Sequence, residues 1–104
     1  MRFLMLVCAD DSRQMTEADN TVESWLAETA GRRLEGHQLC GKEDATTVRG
    51  HGALITDGPF ADTKEWVAGY DVLDCASLEE AVAIAAKHPL AHFGAIELRP
   101  FWEE

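Results

Sequence analysis

The chain has 104 residues, of which 46% are hydrophobic and 27% charged, and this balance is typical of one globular domain spanning residues 1–104. Its 19 acidic and 9 basic residues give a formal net charge of −10, and the basic residues are scattered, which excludes the clustered cations that bind nucleic acid or an anionic membrane. The three cysteines are an odd number without CxxC spacing, so we expect no disulfide framework, no zinc site and a reducing, cytoplasmic location.

The first predicted element is a strand at residues 3–8, FLMLVC, which is continuously apolar. A strand with one wet face would alternate, so this one is predicted to be covered on both faces. The apolar run is too short for a signal peptide or a membrane span, and Asp10 and Asp11 follow it at once.

A helix over about 17–34 follows, because apolar residues recur there at helical spacing. Thr16 and Asp19 resemble a capping box at its start, and Gly36 is a plausible stop. The next residues, HQLCG at 37–41, indicate a short strand.

The middle of the chain is predicted to be three strands. ATTVRG at 45–50 and ALITD at 53–57 flank a Gly-His-Gly turn and form a hairpin, and EWVAGYDVLD at 65–74 is a longer strand.

The last third is predicted to be one helix and one strand. Ser77 and Glu80 have the spacing of a capping box before the helix LEEAVAIAAKH, which Pro89 ends. GAIELRPFW at 94–102 is a strand in which apolar and charged residues alternate.

The order β-α-β-β-β-β-α-β predicts an α+β, ferredoxin-like sandwich: an antiparallel sheet with two helices on one face, plus one extra hairpin. The helices cover only one face of the sheet. Because the first strand is apolar throughout, we expect a second copy of the chain to cover the other face, giving a homodimer with two sheets face to face.

Several sequence words carry a resemblance that covers nearly the whole chain. They are FLMLVCAD, TTVRGHG, TDGPFADTKEWVAGYDVL and GAIELRPFW, and together they closely resemble the YCII-related family in its DGPF-domain branch. The resemblance implies a dimeric α/β barrel but no settled activity.

A His–Asp pair has been suggested to act in enzymes of the wider family. DGPF proteins also resemble products found alongside extracytoplasmic-function sigma factors, which implies an accessory or regulatory role instead. Many relatives carry a second aromatic residue after Gly-Tyr, where this chain has Asp71 after Tyr70, so the aromatic lining around Tyr70 is expected to be reduced.

The segment from Asp57 to Glu65 allows two interpretations. Asp57 either forms the Asp-Gly-Pro turn or is an acid at a strand end that faces a pocket. Phe60 is either a plug over the core edge or a ring that stacks on a ligand. Lys64 and Glu65 are either a solvated ion pair or pocket-lining residues, and the turn alone would not require them. We expect this segment to border a pocket for a small polar molecule.

Glu97 and Arg99 are two residues apart on the last strand and therefore share a face. Since Ile96 and Leu98 should face the helices, this pair is predicted to point into the space between the two sheets of the dimer. There it is either an ion-pair network that sets the dimer register or an anion-binding Arg beside a catalytic carboxylate.

Among the histidines, His88 is either a helix-end residue or a general base that Asp57 orients. His37 is expected to reach the cavity between the sheets, and His51 lies in the solvated hairpin turn. His88 and His92 have i,i+4 spacing, but Pro89 breaks the helix that would align them, so no metal site is expected. No phosphate-binding loop or nucleophile elbow is present in the sequence, and no cofactor is expected.

Two classes of function remain open at this point. One is an enzyme or binder of a small polar molecule that uses acid/base chemistry without metal. The other is a non-enzymatic protein that acts through protein contacts. A deep pocket with convergent Asp, His or Arg side chains would favour the first class.

Overall fold

The computed structural model describes residues 1–103. The strands are β1 (Arg2–Asp10), β2 (Arg33–Gln38), β3 (Thr46–Arg49), β4 (Leu54–Asp57), β5 (Glu65–Asp74) and β6 (Gly94–Pro100), and the helices are α1 (Val22–Thr29), α2 (Leu78–Ala86) and α3 (Leu90–Phe93). Single 3-10 turns lie at residues 17–19, 42–44 and 50–52.

Four strands form one sheet in the order β2-β5-β1-β6, and all neighbouring strands are antiparallel. Without the hairpin this is the strand order of a ferredoxin-like fold, so the prediction of an α+β sandwich is confirmed. β3 and β4 form a separate two-stranded sheet, as the extra hairpin predicted. Its turn needs positive φ at Gly50, His51 and Gly52, which explains the two glycines there.

The core lies between the sheet and the helices. Phe3, Met5 and Val7 of β1 are buried there, and the register places Leu73 of β5 directly opposite Phe3. Trp25 of α1 joins the same cluster, to which α2 contributes two buried alanines. Burying each large apolar side chain contributes about 1.5–3 kcal/mol to stability.

The opposite face of the sheet carries no helix, and we call it the open face. Its side chains come from four strands: Leu4, Leu6 and Cys8 of β1, Glu35 and His37 of β2, Tyr70 and Val72 of β5, and Glu97 and Arg99 of β6. Leu4, Leu6 and Cys8 remain half-exposed in the single chain. The predicted second layer over them, a partner copy, remains a prediction.

The first helix is shorter than predicted, with α1 covering residues 22–29 rather than 17–34. Thr16 and Asp19 do form their capping box, but it closes only the 3-10 turn at residues 17–19. Gly36 was wrongly predicted to end the helix. It lies within β2, which begins at Arg33 because residues 33–38 pair with β5.

The second helix is predicted well at its start. The Ser77 hydroxyl accepts a hydrogen bond from the Glu80 N–H at 3.2 Å and caps α2. The helix ends at Ala86, two residues before the predicted end. The chain then turns at His88 and Pro89 and forms the additional short helix α3, which leads into β6.

Candidate active site

A cavity of about 320 Å³ lies between the helix-covered face of the sheet and the helices, and we call it the inner cavity. Its apolar wall includes Val7, Val22, Trp25, Leu26 and Leu90, and its charged or titratable side chains include Arg33, Asp71 and His88. The size is at the lower end of the range for small-molecule sites. An apolar wall with a few convergent polar groups is the usual composition of such sites.

His88 follows α2 and is only 8% exposed. Its ring meets the edge of Trp25 at a centroid distance of 4.8 Å and an interplanar angle of 73°. The Leu90 N–H donates a hydrogen bond to His88 Nδ1 at 3.1 Å. The bend at Pro89 brings this N–H back to the imidazole, so the same break that ended α2 also positions His88.

Burial lowers the pKa of His88 from its ordinary value of 6.5, and the negative charge of Asp71 partly opposes this effect. The desolvation that disfavours the imidazolium is the larger influence. His88 is therefore a neutral imidazole near pH 7.

Asp71 and Arg33 form a pair beside His88 across the strands β5 and β2. Arg33 Nε donates to Asp71 Oδ1 at 2.5 Å, and the Asp71 side chain is 8% exposed. Asp71 points to the inner side because it is paired with Met5 of β1. Gly36 lies opposite Asp71, and a Cβ there would collide with both the carboxylate and the guanidinium. Glycine at this position therefore makes room for the ion pair.

The acid predicted to orient His88 was Asp57, and the structure does not bring these two residues together. Asp57 ends β4 in the separate hairpin, is exposed, and does not line the inner cavity. The acid that faces the cavity with His88 is Asp71. Its signal in the sequence was alternation along β5, because Gly69, Asp71 and Leu73 share one face and that face is the inner one. Arg33 was missed because it was placed inside the predicted helix.

On the open face, Tyr70 lies in a small polar group. Its hydroxyl donates to a Glu35 carboxylate oxygen at 3.1 Å, and this hydrogen bond raises the pKa of Tyr70. The His37 ring lies 5.8 Å from the Tyr70 ring. Asp71 points to the other side of β5, so it does not replace an aromatic partner of Tyr70 on this face.

Glu97 and Arg99 also lie on the open face, because they pair with Leu6 and Leu4 of β1. Arg99 Nε is 3.7 Å from a Glu97 oxygen, and both side chains are exposed in the single chain. The predicted orientation away from the helices is confirmed by the register. Their role, whether at an interface or at a ligand, remains a prediction.

The segment from Asp57 to Glu65 borders a wide groove of about 810 Å³ between the hairpin and the edge of β5. Pro59, Phe60 and Glu65 are among the residues that line it, and the Phe60 ring is 80% exposed. Asp57 and Lys64 are exposed but lie outside the lining. Phe60 therefore does not plug the core in the single chain.

A polar cluster ties this segment to the end of β1. Lys42 Nζ donates to Asp11 at 2.6 Å and to the Thr63 carbonyl at 3.2 Å, and Trp66 Nε1 donates to the other Asp11 oxygen at 2.9 Å. The hydrogen bond from Lys42 lowers the pKa of Asp11. The Asp11 N–H also donates to the Lys64 carbonyl at 2.7 Å. The charged stretch after Phe60 is thus held through its backbone, while the Lys64 side chain extends into solvent.

Within residues 1–103, no group of three or more His, Cys, Asp or Glu side chains is placed to hold a metal ion. No helix in the same range has the length and apolar character needed to cross a membrane.

Comparison with known proteins places this geometry in context. The family model for the YCII-related domain matches residues 1–104. The uncharacterized protein R00369 of Rhizobium meliloti (strain 1021) is 44% identical over an alignment of 96 residues, and the match covers 88% of this chain and 75% of that protein. Among solved structures, 5-chloro-2-hydroxyhydroquinone dehydrochlorinase from Burkholderia phenoliruptrix AC1100, in complex with 2,5-dihydroxybenzoquinone, superimposes with a TM-score of 0.52. It is 14% identical, and the match covers 100% of this chain and 96% of that one, so it shows a shared fold.

Proposed function

The chain belongs to the YCII-related family, and from this premise we propose that it binds a small polar molecule in the inner cavity and transforms it by acid/base chemistry. The observation that carries the proposal is the convergence of buried His88 and buried Asp71 on one cavity. Titratable groups that are both desolvated and turned towards a cavity are characteristic of catalytic sites.

Arg33 supplies the means to hold an anionic substrate group. A guanidinium has five N–H donors, and the hydrogen bond to Asp71 uses only the one on Nε. Planar donors of this kind suit a carboxylate or a phenolate oxygen. The apolar wall with Trp25 suits the remainder of a small ring.

The dehydrochlorinase provides limited support for this proposal. Its structure contains a dihydroxybenzoquinone, so a protein with this fold holds a ring of the size that the inner cavity would take. At 14% identity the likeness extends to the fold and not to the chemistry. The substrate class is therefore proposed from the cavity, and the neighbour supports only the suitability of the fold as a scaffold.

We further propose that the protein acts as a homodimer whose open faces pack together as a dimeric α/β barrel. The half-exposed leucines of β1 support this, and so does the shape of the single chain, with extents of 43 × 42 × 17 Å. Its radius of gyration is 15.2 Å, whereas a compact domain of this length has about 13 Å. In such a dimer Tyr70, His37, Glu97 and Arg99 would lie between the sheets.

The groove beside the Asp57–Glu65 segment is a second candidate for the ligand site. Its lining includes Phe60 and Glu65, and the exposed Lys64 ammonium nearby would attract an anionic group. In this alternative Asp57, at the end of β4 beside the groove, would supply the acidic group. The groove is wide and lacks a buried titratable side chain, which is why the inner cavity is the first candidate.

A non-enzymatic role through protein contacts has its own supporting observation. The hairpin exposes Val48, Leu54 and Ile55, and Phe60 beside it is also exposed. Apolar side chains grouped in this way are typical of contact surfaces. The partner in this reading is a regulatory protein, such as the sigma factor suggested by the DGPF resemblance.

A thermal-shift screen with phenols and small carboxylates distinguishes these proposals. For a ligand in the inner cavity, we expect the Asp71→Asn and His88→Leu variants to lose the ligand-induced shift, while Asp57→Asn and Lys64→Ala keep it. The reverse pattern would place the ligand in the groove. No shift with any compound in the wild-type protein would favour the contact role.

A further inference from the structure

We infer that His88 acts in the inner cavity as a neutral hydrogen-bond donor through Nε2 and that Asp71 is the proton acceptor, so the site selects compounds with an oxygen that becomes negatively charged, as in a phenolate or an enolate. This inference rests on the proposed function, because it names the substrate class and divides the chemistry between two residues. It replaces the expectation that His88 is the base.

The tautomer of His88 follows from the start of α3. The first N–H groups of a helix have no partner within the helix, and α3 begins at Leu90. The Leu90 N–H is satisfied by His88 Nδ1, which must offer a lone pair to accept this bond. If Nδ1 carried the proton, two N–H donors, that of Leu90 and that of His88, would face each other with no acceptor between them. The single proton of the neutral imidazole therefore resides on Nε2.

The Nε2–H group is available to a ligand. No buried side-chain nitrogen or oxygen in the described part of the chain lacks a hydrogen-bond partner. Nε2 has no partner among these residues, so it must be accessible, and His88 lines the inner cavity. An imidazole whose Nδ1 is occupied and whose Nε2 carries a proton offers no lone pair to a substrate, which excludes it as the base in this state.

The charges around His88 assign the complementary role. Arg33 of β2 and Asp71 of β5 are the charged side chains that line the cavity, and α1 faces the imidazole with the uncharged Trp25. His37 of β2 also lies at the cavity edge, but its pairing with Tyr70 directs its side chain to the open face. Asp71 carries the one carboxylate among the cavity-lining residues of the described chain. It is therefore the group placed to accept a proton.

The proton balance is simple. The ligand's O–H, or a C–H next to its carbonyl, loses its proton to a carboxylate oxygen of Asp71. The electron pair that remains is carried on the ligand oxygen, where the His88 Nε2–H and the guanidinium of Arg33 stabilise it. Reprotonation of the ligand from Asp71 restores the starting state, and no other reactant is needed.

The imidazole tautomer is measured directly by ¹⁵N NMR on the wild-type protein at pH 7, with His88→Gln used to assign the signals. We expect His88 to show a protonated Nε2 and an unprotonated Nδ1. A protonated Nδ1, or an imidazolium with both nitrogens protonated at this pH, would overturn the inference whether or not a ligand binds.

Ligand selection is measured with 4-nitrophenol, whose phenolate form absorbs visible light and whose ionisation is easily followed. The inner cavity should bind the phenolate in preference to the phenol, so the apparent pKa of the bound compound should fall. His88→Gln retains an N–H donor near the position of Nε2 and should keep affinity within about threefold, whereas His88→Leu should lose about tenfold or more.

His92→Gln is the matched control, because His92 is exposed and does not line the cavity. If His88→Gln, folded as judged by its melting curve, loses as much affinity as His88→Leu, the donor role is wrong. If the wild type binds neither form of the probe, the ligand class is wrong. The NMR result alone then decides the tautomer, so failure of the proposed function and failure of the donor assignment are distinguishable.

Discussion

The two faces of β1 are equally apolar in the sequence but differ in the structure. Phe3, Met5 and Val7 are buried under the helices, whereas Leu4 and Leu6 on the alternate positions are half-exposed. Each face of the sheet also carries an Arg–carboxylate pair. On the covered face the pair joins two neighbouring strands, β2 and β5, and on the open face both members lie within β6. Residues of the same type therefore differ in burial according to the face of the sheet on which the fold places them.

The two ion pairs show the consequence for energetics. Arg33 and Asp71 lie on the covered face, with the carboxylate only 8% exposed, while Arg99 and Glu97 on the open face are mostly in solvent. An exposed pair contributes about 0–1 kcal/mol, and a buried one is costly to break because a charge is left without a partner. Burial, and not residue type, makes the first pair part of a candidate active site.

The largest predicted effect compares two neighbouring residues on opposite faces of β1. Met5→Ala should lower the free energy of unfolding by about 2–5 kcal/mol, because it leaves a void in the core. Leu6→Ala should cost about 1 kcal/mol or less in the monomer. Chemical denaturation of both variants measures the difference.

Protein concentration sharpens this test. If open faces pair in a homodimer, the cost of Leu6→Ala should grow at concentrations where the wild type is dimeric, and light scattering should show weaker association. A stable wild-type monomer at micromolar concentration would show that the open face is simply solvated.

The next prediction breaks one ion pair on each face. Arg33→Ala should lower the free energy of unfolding by about 2–4 kcal/mol, since it leaves the Asp71 carboxylate buried and unpaired. Arg99→Ala should cost about 0.5 kcal/mol in the monomer, because Glu97 remains solvated. Arg99 becomes important only if a partner copy desolvates it. Equal losses for both variants in a monomeric sample would contradict the distinction between the faces.

The fold could be predicted from the sequence where short-range patterns, such as a helix cap or alternating apolar residues, agree with the way the strands and helices pack. Ser77 marked the start of α2, and alternation in the last strand correctly directed Leu98 inwards and Arg99 outwards. The candidate site was harder, because Arg33 and Asp71 are separated by 38 positions in the chain and meet only when β2 pairs with β5. Helical spacing around residue 33 outweighed the strand signal, since Gly36 is a usual helix stop and an unusual residue within a strand.

A smaller effect is expected from adding a methyl group at one of two glycines. Gly36→Ala should lower the free energy of unfolding by about 1–3 kcal/mol and weaken ligand binding in the inner cavity, because its Cβ would displace both members of the Arg33–Asp71 pair. Gly31→Ala is the matched control, with no atom within 4 Å of the added Cβ. Melting temperatures and a binding isotherm measure the two consequences. If the two variants behaved alike, the pair would not depend on the space at Gly36.

The smallest predicted effect is a pH dependence that is specific to the covered face. Burial lowers the pKa of His88 in the folded protein from 6.5, so between the two values the unfolded chain binds more protons than the folded one. The stability that depends on neutral His88 is therefore complete above pH 6.5, declines as the pH falls below it, and stops declining beneath the folded-state pKa.

His88→Gln should remove this part of the decline, while the exposed His92→Gln should retain it. Melting temperatures from pH 5 to pH 8 for the three proteins provide the measurement, and the relevant quantity is the slope against pH, since the Gln variant also changes the acceptor of the Leu90 N–H. Parallel slopes for wild type and His88→Gln would mean that the imidazole is solvated in solution, and the inner cavity would then lose the desolvated histidine that makes its chemistry different from that of the open face.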